Sequence, residues 1–112
     1  SEASLASRRI ALARVRADLD HQEASLASSV EQQRAQRDRA RWELERITTL
    51  QRAGLYRDTA LIDRELALQG AERVLQGAQL SLARNRVRDE RGRRLEEASA
   101  LADIQIAEAA LA

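Results

Sequence analysis

Proline, cysteine, methionine, phenylalanine and lysine are absent from this chain, and histidine, tryptophan and tyrosine occur once each. Lack of proline removes the strongest helix breaker from the whole length. Two aromatics, Trp42 and Tyr56, are too few for an ordinary globular core. Without cysteine there is no disulfide framework and no thiolate metal site, and nothing decides between redox compartments. His21 alone excludes a histidine-based metal cluster and gives a Ser-His-acid triad nothing to rest on. Between Asp20 and Gln22 it reads as a solvated helix residue. The four glycines are isolated, so no phosphate-cradling loop is present. No signal peptide and no apolar run of transmembrane length can be found. The missing methionine at position 1 reads as the start of a fragment excised from a longer protein.

What remains is rich in Ala, Leu, Arg, Glu and Gln, the composition of long helices and coiled coils. All nineteen basic residues are arginine, which the codon usage of a GC-rich genome explains more simply than phosphate binding does. Eighteen acids lie among them and leave a net charge of +1. That balance argues against a nucleic-acid or anionic-membrane surface as the main role.

Two arms of nearly equal length flank Gly54, with 53 residues before it and 58 after. In the first arm Leu5, Leu12, Leu19, Leu26, Gln33, Ala40 and Ile47 recur every seven residues, with Val15, Val30, Leu44 and Leu50 three or four residues away. A sustained seven-residue apolar repeat keeps one stripe toward a partner helix. In the second arm Leu61, Leu68, Leu75 and Leu82 repeat by seven, beside Ala71, Val74 and Ala78. Farther on the stripe slips toward Leu80, Val87, Leu95, Ala98, Leu101 and Ala102, the mark of a stutter. A glycine just past the last apolar residue of a helix can take the left-handed conformation that ends it. Asp58 or Thr59 can then accept from the free N–H groups of the next helix. The expected fold is all-α: a long antiparallel two-helix coiled-coil hairpin, forming a single domain over 1–112. Its ascending helix runs over about 2–53, its tip over 54–58 and its descending helix over 59–111.

Pairing about the tip puts residue i near residue 111 minus i. Trp42 would then face Gln69 and Gly70. Gly70 and Gly77, one heptad apart, read either as points of close helix approach or as tolerated surface glycines. Looser packing is expected around Gln33, Gln36 and Arg37, where the seam turns polar.

Residues that carry chemistry are few. Asp18/Asp20 and Glu96/Glu97 lack the spacing that sets two carboxylates on one helical face. The arginine-dense stretch from Arg84 to Arg94 spreads over more than one face among Asp89, Glu90, Glu96 and Glu97, so it reads as a hydrated surface with local ion pairs. The tip is different. Leu50, Leu55 and Tyr56 stand where two helices end, ringed by Arg46, Arg52 and Arg57. Apolar and aromatic groups among arginines are common interface anchors.

These residues resemble the periplasmic adaptor, or membrane fusion, proteins of the HlyD type. Their hairpin tips carry Arg, then Leu four residues later, then a small hydroxyl residue seven after that, within a Gly-x-Ile/Val-Ser turn. Arg46 and Leu50 match the first two positions and Gly54-Leu-Tyr matches the turn, while Arg57 stands at the hydroxyl position as a departure. Thr59-Ala-Leu-Ile-Asp-Arg-Glu-Leu-Ala-Leu-Gln-Gly70 also looks like the return helix of adaptors from type I protein exporters. The resemblance is sharpest over residues 41–83. It implies a hairpin of a tripartite export system in a Gram-negative envelope, anchored at the inner membrane through domains outside this chain. Several hairpins would assemble side by side, and their tips would meet a TolC-type outer-membrane channel. Arg46, Leu50, Leu55, Tyr56 and Arg57 are the partner-binding candidates. No catalytic residue, cofactor or metal is expected. Two other classes stay open: a generic coiled-coil oligomerisation or scaffold stalk, and a basic hairpin that binds RNA or DNA.

Overall fold

A computed structural model describes residues 2–111. Two helices account for nearly all of them: α1, Glu2–Arg52, and α2, Asp58–Leu111. The chain divides after Leu82 into two units, residues up to Leu82 and residues from Ala83 on. Within the first unit α1 and the start of α2 form an antiparallel helical hairpin, so the fold class is all-α.

The turn between the helices follows from Gly54. Its φ is +77°, in the left-handed region that a side chain disfavours and glycine does not. The Gly54 N–H donates to the Gln51 carbonyl at 2.9 Å and the Leu55 N–H to the Leu50 carbonyl at 2.9 Å. That pair of bonds is the Schellman arrangement, which satisfies carbonyls left without helical partners at a C-terminus. Thr48 and Thr49 lie just upstream, and their hydroxyls donate to the Leu44 and Glu45 carbonyls at 2.8 and 3.0 Å. Both hydroxyls are thereby satisfied inside the helix.

Capping of α2 differs from the sequence expectation. The Asp58 carboxylate accepts from the Gln51 amide at 2.6 Å, bridging the last turn of α1 to the first turn of α2. The helix opens instead with a backbone bond, the Ala60 N–H donating to the Arg57 carbonyl at 3.1 Å. Asp58 still places negative charge in the first turn, where the helix dipole favours it. Gln51 reaches Asp58 first because both lie at the closed end of the hairpin.

Burial in α1 tracks one phase. Leu19, Glu23, Leu26, Val30, Gln33, Arg37, Ala40, Leu44, Ile47 and Gln51 are buried or half-buried, at alternating steps of four and three. In α2 the matching set is Leu61, Leu68, Ala71, Leu75, Ala78 and Leu82. Among the described residues Val30, Ile47, Leu75 and Leu82 are the buried ones. Val30, Leu75 and Leu82 form one cluster, with Leu26, Ala27 and Ala78 packed on it. A two-helix seam covers each apolar residue from one side, which is why so few are sealed off. Every described residue of α1 before Leu19 is exposed, including Leu5, Leu12 and Val15.

The register is tighter than the symmetric estimate. Arg64 of α2 donates to Glu43 of α1 at 2.6 Å, a pair summing to 107, and Val30 packs between Leu75 and Leu82 about Ala78, a pair summing to 108. Trp42 is accordingly not packed on Gly70. It is 58% exposed, and a Cβ placed on Gly70 or on Gly77 would meet nothing within 4 Å. These sums fall three or four short of the symmetric 111, about one helical turn.

In the second unit the half-buried residues are Asn85 and Asp89, three and seven positions beyond Leu82. The expected stutter toward Leu80, Val87, Leu95 and Leu101 does not occur, and all four are exposed. Helix phase follows the backbone, so polar side chains take the positions that the 3–4 spacing reaches. Val87, in the expected slipping stripe, is 49% exposed. Asp89 accepts from Arg93 at 3.2 Å through Oδ2, and Arg94 pairs with Glu90 at 2.6 Å. The arginine stretch therefore carries local i, i+4 pairs, each contributing a few tenths of a kcal/mol.

Candidate functional site

Chemistry at the closed end of the hairpin begins with an i, i+4 pair on α1. Four residues apart on a helix place side chains one above the other. The Arg46 guanidinium accordingly lies over the Trp42 ring, 5.6 Å from its centroid, within cation–π range. One helical turn nearer the N-terminus of the chain, Glu43 holds Arg64 of α2 at 2.6 Å and Arg39 at 3.8 Å. Both partners of the Glu43–Arg64 pair are partly exposed, so its contribution to stability is about 0.2–1 kcal/mol. It also joins α1 to α2 across the hairpin.

Between these pairs lies a cleft of about 170 Å³, lined by Trp42, Glu43, Arg46, Ile47, Tyr56 and Arg64. Both aromatic residues of the chain are among them, one from α1 and one from the turn. Trp42 and Tyr56 remain about half exposed, which is unusual for side chains of this size unless something covers them.

The five tip residues singled out from sequence are divided by the structure. Arg46 and Tyr56 share the cleft. Leu50, Leu55 and Arg57 do not line it. Leu50 is half-buried in the last turn of α1, and its carbonyl is the acceptor that closes the turn. Leu55 projects at the apex, 69% exposed. Arg57 is exposed and takes the place before the first residue of α2, with no capping side chain to offer. Sequence reading misses Trp42, Glu43 and Arg64 as parts of the site. Trp42 and Arg46 are visible as an i, i+4 pair, but the contribution of Arg64 depends on the register.

A second apolar row lies on α2. Ile62, Leu66, Val74 and Leu80 are all close to half exposed or more. Gly70 and Gly77 fall among them with open space around their α-carbons. The row is set off in phase from Leu61, Leu68, Leu75 and Leu82 and points away from the seam.

Among the described residues no group of three or more His, Cys, Asp or Glu side chains is placed to hold a metal ion. No helix among them is long and apolar enough to cross a membrane. Comparison of this chain with protein-family models, with curated proteins and with solved structures finds no match in any of the three.

Proposed function

We propose that this chain is the hairpin of a periplasmic adaptor in a tripartite export system, a non-catalytic element that presents its closed end to an outer-membrane channel of the TolC type. The observation that carries the reading is the closed end itself, where Tyr56 and Trp42 stay exposed beside Arg46 and Leu55 stands exposed in the turn. An oligomerisation stalk would need no such group at its turn. The likeness of Arg46, Leu50 and Gly54-Leu-Tyr to HlyD-type tips supports the same conclusion. The mechanism is geometric. Helix α1 is about 75 Å long at 1.5 Å per residue, so it holds a docking surface at a fixed distance from whatever anchors its other end.

Within this reading the residues divide their roles by exposure. Leu55 supplies most of the apolar area, since a leucine buried fully by a partner gains about 1.5–3 kcal/mol. Leu50 is already half-covered and offers less. Arg46 presents a planar fork of donors to carbonyls or carboxylates at another helical end. Arg57 replaces the hydroxyl residue of the resembling family and faces solvent at the start of α2. Side-by-side packing of hairpins is supported by the Ile62–Leu66–Val74–Leu80 row, because contiguous exposed apolar surface commonly marks an interface.

The test uses the full-length parent protein. Leu55→Ala and Arg46→Ala should each weaken capture of the cognate channel about tenfold and reduce export, with helix content unchanged. Export and capture that survive both changes would reduce the hairpin to a spacer and overturn the proposal.

A further inference from the structure

The chain has one tryptophan and one tyrosine, fourteen residues apart, and both line the same small cleft. Neither sits in the seam, where an aromatic would ordinarily be used for packing. Two arginines join them, and their states differ. Arg64 donates to Glu43 at 2.6 Å. Arg46 has no ion pair or hydrogen bond among the described residues, and its contact is with the Trp42 face at 5.6 Å. One cation of the cleft is thus compensated and the other is not.

We infer that this cleft receives a single carboxylate side chain, Asp or Glu next to an apolar residue, from a protein partner. The inference rests on the docking reading above and names the chemical group that the tip takes. Size supports it first. About 170 Å³ is well below the roughly 300–1,000 Å³ of small-molecule sites and suits one side chain. Charge supports it next. Among the residues that line the cleft, Arg64 pairs with Glu43 and Arg46 is left over, one positive charge that one carboxylate matches; Arg39, outside the lining, shares Glu43. A phosphate dianion would bring a second negative charge close to Glu43, whose two cations, Arg39 and Arg64, are already engaged with it.

Preorganisation adds to the match. Stacking on Trp42 holds the Arg46 guanidinium in place, so less side-chain freedom is lost when a carboxylate accepts from it. A bidentate Arg–carboxylate contact is also stronger than a neutral hydrogen bond. Ile47 and the two rings provide the apolar wall that the neighbouring residue of the partner would cover.

Trp42, as the sole tryptophan, reports on the cleft directly through its fluorescence. The probes are acetyl-Leu-Asp-Leu-amide, its Asn counterpart and inorganic phosphate, each titrated into the 112-residue chain at low salt. The Asp peptide should change Trp42 emission saturably in the millimolar range. The Asn peptide should bind at least tenfold more weakly, and so should the Asp peptide to an Arg46→Gln chain. Arg46 is exposed, so this substitution leaves the seam intact. Equal response to the Asn peptide, undiminished binding by Arg46→Gln, or tighter binding of phosphate would each overturn the inference. Failure here is separable from failure of docking. If Leu55→Ala still abolishes channel capture while Trp42 ignores the Asp peptide, the carboxylate site falls alone. If the peptide binds through Arg46 while both alanine variants keep full capture, the site stands and the docking reading falls.

Discussion

Two glycines in this chain have opposite energetic meanings, and the backbone decides which is which. Gly54 holds φ at +77°, where an L-residue costs about 1–2 kcal/mol. Gly70 lies in a regular helix with open space where a Cβ would go. Alanine there should improve helix propensity by about 1 kcal/mol. Denaturant unfolding followed by circular dichroism should therefore show Gly54→Ala destabilising and Gly70→Ala stabilising. A Gly54→Ala change that fails to destabilise would contradict the assignment of Gly54 as the left-handed end of α1. The role of Gly54 is legible in the sequence, because a lone glycine between two long apolar repeats marks the point where one helix stops and the next begins. The partner of Asp58 is not. Its carboxylate has two candidate donors, the free N–H groups of α2 and the Gln51 amide, and the choice depends on how closely the helix ends approach.

At the scale of the helices, the seven-residue spacing of α1 is enough to locate the seam. Leu19, Leu26, Ala40 and Ile47 fall on it, and so does Gln33 in its polar stretch. The second arm is harder to read because hydrophobicity and phase part company there. Apolar residues continue at Leu80 and Val87, while burial passes to Leu82, Asn85 and Asp89. A helix cannot rotate its face to follow its hydrophobic residues without a change in winding, and burial in α2 keeps the steps of three and four from Leu75 through Ala78, Leu82, Asn85 and Asp89. Leu75 and Leu80 separate a straight stripe from a slipping one. Leu75 is 5% exposed, so Leu75→Ala should cost about 2–4 kcal/mol. Leu80 is 48% exposed, and Leu80→Ala should change stability by less than about 0.5 kcal/mol. Matching losses at both positions, measured by the same denaturant unfolding, would mean that the stripe does slip.

For the molecule as a whole, the sequence displays a rod-forming repeat and a distinctive turn, without the geometry that joins them into a site. Arg46 and Tyr56 are recognisable because charge and aromaticity are conspicuous in so plain a composition. A symmetric turn would set Trp42 against a glycine across the hairpin. One helical turn of register moves Arg64 opposite Glu43 and turns the same residues into a cleft. Register depends on how the turn closes, and the turn depends on the Schellman bonds at Leu50 and Gln51. A residue-by-residue reading has no access to that chain of dependence. Docking requires the closed end, and not the sides of the helices, to meet the channel. The most direct measurement places a photo-crosslinking amino acid at position 55 of the proposed adaptor in living cells, with position 28 on the exposed flank of α1 as the comparison. The account predicts a covalent adduct with the outer-membrane channel from position 55 and none from position 28. Channel adducts from position 28 alone, or from neither position, would contradict it.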